Sequence, residues 1–143
     1  MSDLLKAYLT ASGSYPERET SSELTPTLID NANKLLSEIK ALFEELDLNI
    51  EDYSISSGFR PSDANKKTPN AAKSSLHQQC LAIDIVDDKS QTLAKIMRKN
   101  ADKRKKRGIW LECPDYTKGK NTNWVHLDLS ISRKLRDSME FIP

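Results

Sequence analysis

One domain built of both helices and strands is what the sequence predicts, and three observations carry it. A long amphipathic helix follows Thr25. Three short segments further along alternate aliphatic and polar side chains in the two-residue period of a strand. No linker or internal repeat divides the 143 residues, and a chain of that length buries about 68–70% of its unfolded surface as one domain, taken here as residues 1–143.

The elements follow in order. Leu4, Leu5, Tyr8 and Leu9 form a short apolar segment, and a polar loop runs from Ser12 to Leu24. Thr25 can cap the next helix, Pro26 suits its first position and Asp30 favours its positive end. Leu28, Ile29, Ala32, Leu35, Leu36, Ile39, Leu42, Phe43 and Leu46 recur at helical spacing and make a stripe that faces a core. A β-rich run, Tyr53 to Ser56, breaks at Ser57-Gly58-Phe59-Arg60-Pro61. Residues 61–76 read as a long polar loop, of the kind that serves a site or lacks order. Leu81 to Asp87 reads as a strand and Ser90 to Lys105 as one helix. Ile109–Glu112 and Trp124–Leu129 read as the last strands, joined by a polar loop over 114–123.

Composition narrows the function. Charged residues are 30% and hydrophobic residues 37% of the chain, and 22 basic against 21 acidic side chains leave a net charge of +1. No overall field draws such a protein to nucleic acid or an anionic membrane, so no nucleic-acid partner is expected. The run Lys99, Lys103, Arg104, Lys105, Lys106, Arg107 reads as a solvated helix end, where the macrodipole favours cations. No apolar run approaches the ~20 residues of a membrane span, so no stable membrane insertion is expected. Met1 to Lys6 lacks a basic region followed by an apolar one. The protein is therefore expected to be made in the cytoplasm without a signal peptide, and to be a monomer. Cys80 and Cys113 lie far apart and form no CxxC, which fits reduced thiols better than a disulfide.

Strand alternation gathers the chemistry on one face. Leu81, Ile83 and Ile85, Ile109 and Leu111, and Val125, Leu127 and Leu129 supply the aliphatic sides. The opposite sides carry Asp84, then Trp110 and Glu112, then Trp124, His126 and Asp128. The only histidines of the chain are His77 and His126. With Asp84 they make a set of two imidazoles and a carboxylate, which suits zinc in a catalytic site that keeps one position open.

Ser57-Gly58-Phe59-Arg60-Pro61 with Asn65, the spacing Ser75-x-His77-x6-Asp84-Ile85, and Trp124-Val125-His126 together resemble the zinc D-Ala-D-Ala carboxypeptidase/Hedgehog-like peptidases, above all the small phage and bacterial murein enzymes. The resemblance covers about residues 25–130. It implies an α+β domain with a small antiparallel sheet flanked by helices, and one Zn2+ ion held by His77, Asp84 and His126. It also implies cleavage of peptidoglycan stem peptides, as a D-Ala-D-Ala carboxypeptidase or a murein endopeptidase, with Arg60 and Ser75 positioning the substrate. Arg60 offers a planar fork of donors to a carboxylate, and Lys66, Lys67 and Lys73 add positive charge beside it. An endolysin or a virion-borne domain, acting at the cell wall after release or delivery, fits such a chain.

Two departures from the pattern stand out. Cys80 occupies a position usually held by glycine, where a thiolate could approach the metal. Asn123 stands where many members carry an acidic general base. Glu112 is the first substitute for that base and Asp128 the second. Two other readings follow from these departures. One is a catalytically silent zinc-containing module that binds cell wall or builds a virion. The other is a closed structural zinc site of His77, Cys80, Cys113 and His126.

Overall fold

The computed structural model describes residues 2–11, 21–62 and 75–143. Most of the loop expected over 61–76 lies outside them, with Asn65, Lys66, Lys67 and Lys73, as does most of the one over 12–24. The described residues form an α+β domain.

The apolar segment at the start is a helix, α1 (Asp3–Leu9), whose first turn is capped by Ser2 Oγ accepting from the Leu5 amide at 3.1 Å. The long helix α2 (Pro26–Glu45) begins as its sequence requires. Thr25 Oγ1 accepts from the Leu28 amide at 3.3 Å, and Pro26 sits where no intrahelical N–H is needed. Its stripe of Ala32, Leu35, Leu36, Ile39, Leu42 and Phe43 is buried.

The helix expected over Ser90–Lys105 is two helices, α3 (Thr92–Lys99) and α4 (Ala101–Arg107), broken at Asn100. Asn100 leaves helical geometry at φ −112°, ψ 40°, and its side-chain amide donates back to the Ile96 carbonyl. A short polar side chain bonding its own backbone offers the chain this alternative to helix. The start of α3 is anchored by carboxylates: Asp87 accepts from the Leu93 and Ala94 amides, and Asp88 from the Thr92 amide.

Five strands, β1 (Ile55–Ser57), β2 (Ala82–Asp87), β3 (Trp110–Glu112), β4 (Asn123–Asp128) and β5 (Glu140–Phe141), form one sheet in the order β1-β2-β4-β3-β5. The sheet expected to be antiparallel is mixed, because β5, which no periodic pattern signals, runs parallel to β3. The aliphatic faces meet as alternation requires: Ile83 pairs with Leu127, Ile85 with Val125 and Leu111 with Leu127. They join buried residues of α1, α2 and α3, Leu5, Tyr8, Leu9, Leu35, Ile39, Phe43, Leu93 and Met97 among them, in a single core. The helices cover one face of the sheet and leave the other for chemistry. Among the described residues no helix is long and apolar enough to cross a membrane.

The basic run is not simply a solvated helix end. Arg104 is fully buried. Its guanidinium donates to the carbonyls of Met97, Ile109, Met139 and Ser138 at 2.8–3.3 Å, and burial lowers its pKa to about 10, still charged at neutral pH. It ties the chain before β5 to the end of α4. Arg107 pairs with Glu38 and Glu45 of α2. Arg104→Leu should lower stability by at least about 2 kcal/mol in urea unfolding, because three buried bonds and one part-buried bond to backbone carbonyls lose their donor. An unchanged midpoint would show that water replaces the guanidinium at no cost.

Candidate metal centre

Register brings the polar side chains together. Asp84 of β2 stands directly across from His126 of β4. Asp128 of β4 is flanked by Ala82 on one side and Trp110 on the other. Glu112, two residues after Trp110, pairs across β3–β5 with Phe141.

His77 reaches this face from a tight turn between Ser75 and Leu81. Ser75 Oγ accepts from its amide at 3.1 Å, and its carbonyl accepts from the amides of Arg60 and Cys80. Its ring is fixed by a 2.9 Å contact between Nδ1 and the Gly58 carbonyl. A carbonyl can only accept, so the ring proton sits on Nδ1 and the Nε2 lone pair is free for the site. Nε2 lies 3.3 Å from Asp84 Oδ2. The second imidazole meets the same carboxylate: His126 Nδ1 is 2.8 Å from Asp84 Oδ1. The two rings stand edge to face with centroids 5.3 Å apart.

Ligand atoms of His77, Asp84 and His126 all lie within 4.8 Å of one another, and among the described residues this is the group able to share a metal ion. The chemistry of the donor set fits zinc: two imidazole nitrogens and one carboxylate, with the outer nitrogen of each ring engaged elsewhere, His77 by a carbonyl and His126 by Asp128. Such outer partners fix ring orientation at metal sites. Burial opposes the charge of Asp84, but His77 and His126 outweigh it and hold its carboxyl well below the usual range. Burial likewise opposes the charge of His126, whose pKa is nevertheless pushed up to about 10 by the carboxylates of Asp128 and Asp84.

The family model for peptidase M15 matches residues 14–128. The chain belongs to the peptidase M15 family. No curated protein and no solved structure matches it. M15 members are in general zinc-dependent peptidases, and the cluster of His77, Asp84 and His126 gives this member a site able to hold the ion.

The remaining candidates of this M15 chain divide by their surroundings. Arg60 is buried beside the centre, in the field of Asp84, and one guanidinium nitrogen donates to Ser57 Oγ at 3.2 Å. Ser75 is buried too, with its hydroxyl oxygen engaged by the His77 amide. Glu112 is half-buried. Burial raises its carboxyl pKa and the carboxylates of Asp84 and Asp128 add to that, against the opposing pull of His126 and Arg133. Asp128 is fully buried with both oxygens committed. Oδ2 meets His126 Nε2 at 2.8 Å and Arg133 at 3.0 Å, while Oδ1 accepts from Arg133 at 2.6 Å and from the Ser130 amide. Arg133 and Phe141 escaped the sequence reading, since neither lies in a motif or a periodic segment.

Asn123 begins β4 on the side of Val125 and Leu127, facing away from the cluster. Its amide nitrogen donates to the carbonyls of Asp88 and Lys89, and its oxygen accepts from the Gly119 amide. In this fold it is a loop clasp.

Neither cysteine belongs to the metal cluster, which removes the closed zinc site expected as one reading. Cys80 has φ 56°, the left-handed conformation that glycine adopts without strain. Its thiol is buried against Tyr8, and burial pushes its pKa up to about 12, so it stands as a neutral thiol rather than a thiolate directed at the metal. Both cysteines are free. A thiol reagent such as DTNB should modify half-buried Cys113 in the native protein and Cys80 only on unfolding. Reaction of both at equal rates would show that the Tyr8–Cys80 packing opens readily.

Proposed function

We propose that this peptidase is a zinc enzyme that cuts peptide bonds in peptidoglycan stem peptides, as a D-Ala-D-Ala carboxypeptidase or murein endopeptidase in phage or prophage lysis or wall penetration. The observation that carries the reading is the cluster of His77, Asp84 and His126 with a half-buried Glu112 on the same sheet face.

Zinc held by these three residues would polarise the scissile carbonyl and bring the pKa of bound water to ~7. The chain's own residues supply the rest. The Glu112 carboxylate takes a proton from the attacking water and delivers it to the leaving amine, and its raised pKa brings it closer to the working pH of a general base. Arg60 presents cationic nitrogens next to the centre, which complement the free carboxylates of stem peptides. Ser75 acts on the substrate only indirectly, by holding the His77 backbone.

The test is to incubate the zinc-loaded protein with muropeptides and follow the products by mass spectrometry, with His126→Ala as control. Loss of a terminal D-Ala marks a carboxypeptidase and an internal cut marks an endopeptidase. Stoichiometric zinc without any cleavage would favour a silent wall-binding or virion module.

A further inference from the structure

The far side of His126 is built with as much care as the side that faces Asp84. Its Nε2 meets Asp128 Oδ2 at 2.8 Å. Asp128 is fully buried, a costly place for a carboxylate unless it is paired and hydrogen-bonded. Arg133 meets that requirement with a two-pronged contact, 2.6 Å to Oδ1 and 3.0 Å to Oδ2. The guanidinium itself lies over two aromatic rings. Its central carbon lies 3.4 Å from the Phe141 ring centroid and 5.3 Å from that of Trp110. Phe141 then closes the circuit, because its ring stands edge to face with the His126 imidazole at 5.7 Å.

We propose that Asp128 and Arg133 are a positioning pair for the metal-binding imidazole of His126, clamped by Phe141 and Trp110, and that Asp128 therefore does not act as a base. The inference rests on the zinc reading above. By accepting from Nε2–H, Asp128 leaves the Nδ1 lone pair for the ion and fixes the plane of the ring. Arg133 keeps both carboxylate oxygens in place, so that Asp128 has one orientation only. A proton acceptor for substrate needs an oxygen that substrate or water can reach, and here each oxygen already has two partners or more within the protein.

The test measures zinc affinity by competition with a chromophoric chelator, and the visible spectrum of the cobalt-substituted protein, for wild type, Asp128→Asn, Arg133→Met and Arg133→Lys. Thermal unfolding is followed alongside. Loss of such outer partners weakens metal binding about 10–100-fold, and that is the effect expected for Asp128→Asn, with an altered cobalt spectrum. Arg133→Met should show a smaller loss of the same kind, partly restored in Arg133→Lys, because Lys returns the charge but not the fork. A purely structural pair would change the melting temperature and leave affinity and spectrum unmoved, which overturns the proposal. If Asp128→Asn does not fold, the part-exposed Arg133 variants decide the matter by the same readouts. Wild-type protein that binds zinc and cuts nothing would sink the peptidase reading while leaving this pair intact. Wild-type protein that binds no zinc would overturn both.

Discussion

Glu112→Gln should lower kcat on a muropeptide by about 10²–10⁴-fold, with zinc content unchanged. The amide keeps the shape of the side chain and cannot take a proton. The same substitution should leave thermal stability equal or raise it. Burial lifts the folded-state pKa of Glu112 above its ordinary value, so the ionised carboxylate weighs against the folded state. That penalty is fully present above the raised pKa and vanishes as pH falls below the unfolded value. The stability gap between variant and wild type should therefore close in mild acid. Wild-type activity should fall over the same interval as the base becomes protonated. Steady-state kinetics and thermal melts across pH check both halves. A variant with wild-type kcat would remove Glu112 from proton transfer.

Gly58→Ala should be strongly damaging although it lies outside the cluster, costing about 1–3 kcal/mol in urea unfolding. The reason is space. A Cβ on Gly58 would lie 2.0 Å from the Tyr8 carbonyl oxygen and 2.8 Å from Tyr8 Cδ1, so the whole of α1 would have to move. Moving it breaks the 2.8 Å bond from the Tyr8 hydroxyl to the Ala82 carbonyl at the start of β2. It also displaces the Gly58 carbonyl that holds His77 Nδ1. Zinc affinity should therefore fall together with stability, although Gly58 touches no metal. A variant with an unchanged urea midpoint would mean that α1 can give way without strain.

What the sequence revealed and what it hid divide along the range of the interactions. The α2 stripe and the two-faced strands are local periodicities, and both appear in the structure at nearly their expected bounds. Alternation alone put Asp84, Glu112, His126 and Asp128 on one side, and the pairing of β2, β4 and β3 made that side continuous. The break at Asn100 was hidden because the apolar spacing of Leu93 and Met97 runs on into Arg104, whose burial no hydrophobic pattern announces. Asp128 looked like a spare acid because a sequence cannot show that both oxygens are already engaged. Asn123 looked like a vacated base position, yet alternation turns it to the opposite face from His126. β5, two residues long, has no periodicity to detect.

The family match ends at Asp128, and a fragment cut there would retain every proposed metal ligand. It would lack the segment that Arg104 anchors through the Ser138 and Met139 carbonyls. β3 would then have one side unpaired, with the Leu111 and Cys113 amides deprived of their acceptors on Met139 and Phe141. An open strand edge of this kind invites pairing with another chain. The stretch matched by the family model is thus shorter than the stretch that closes this sheet edge, and a fragment made for expression should extend beyond Phe141.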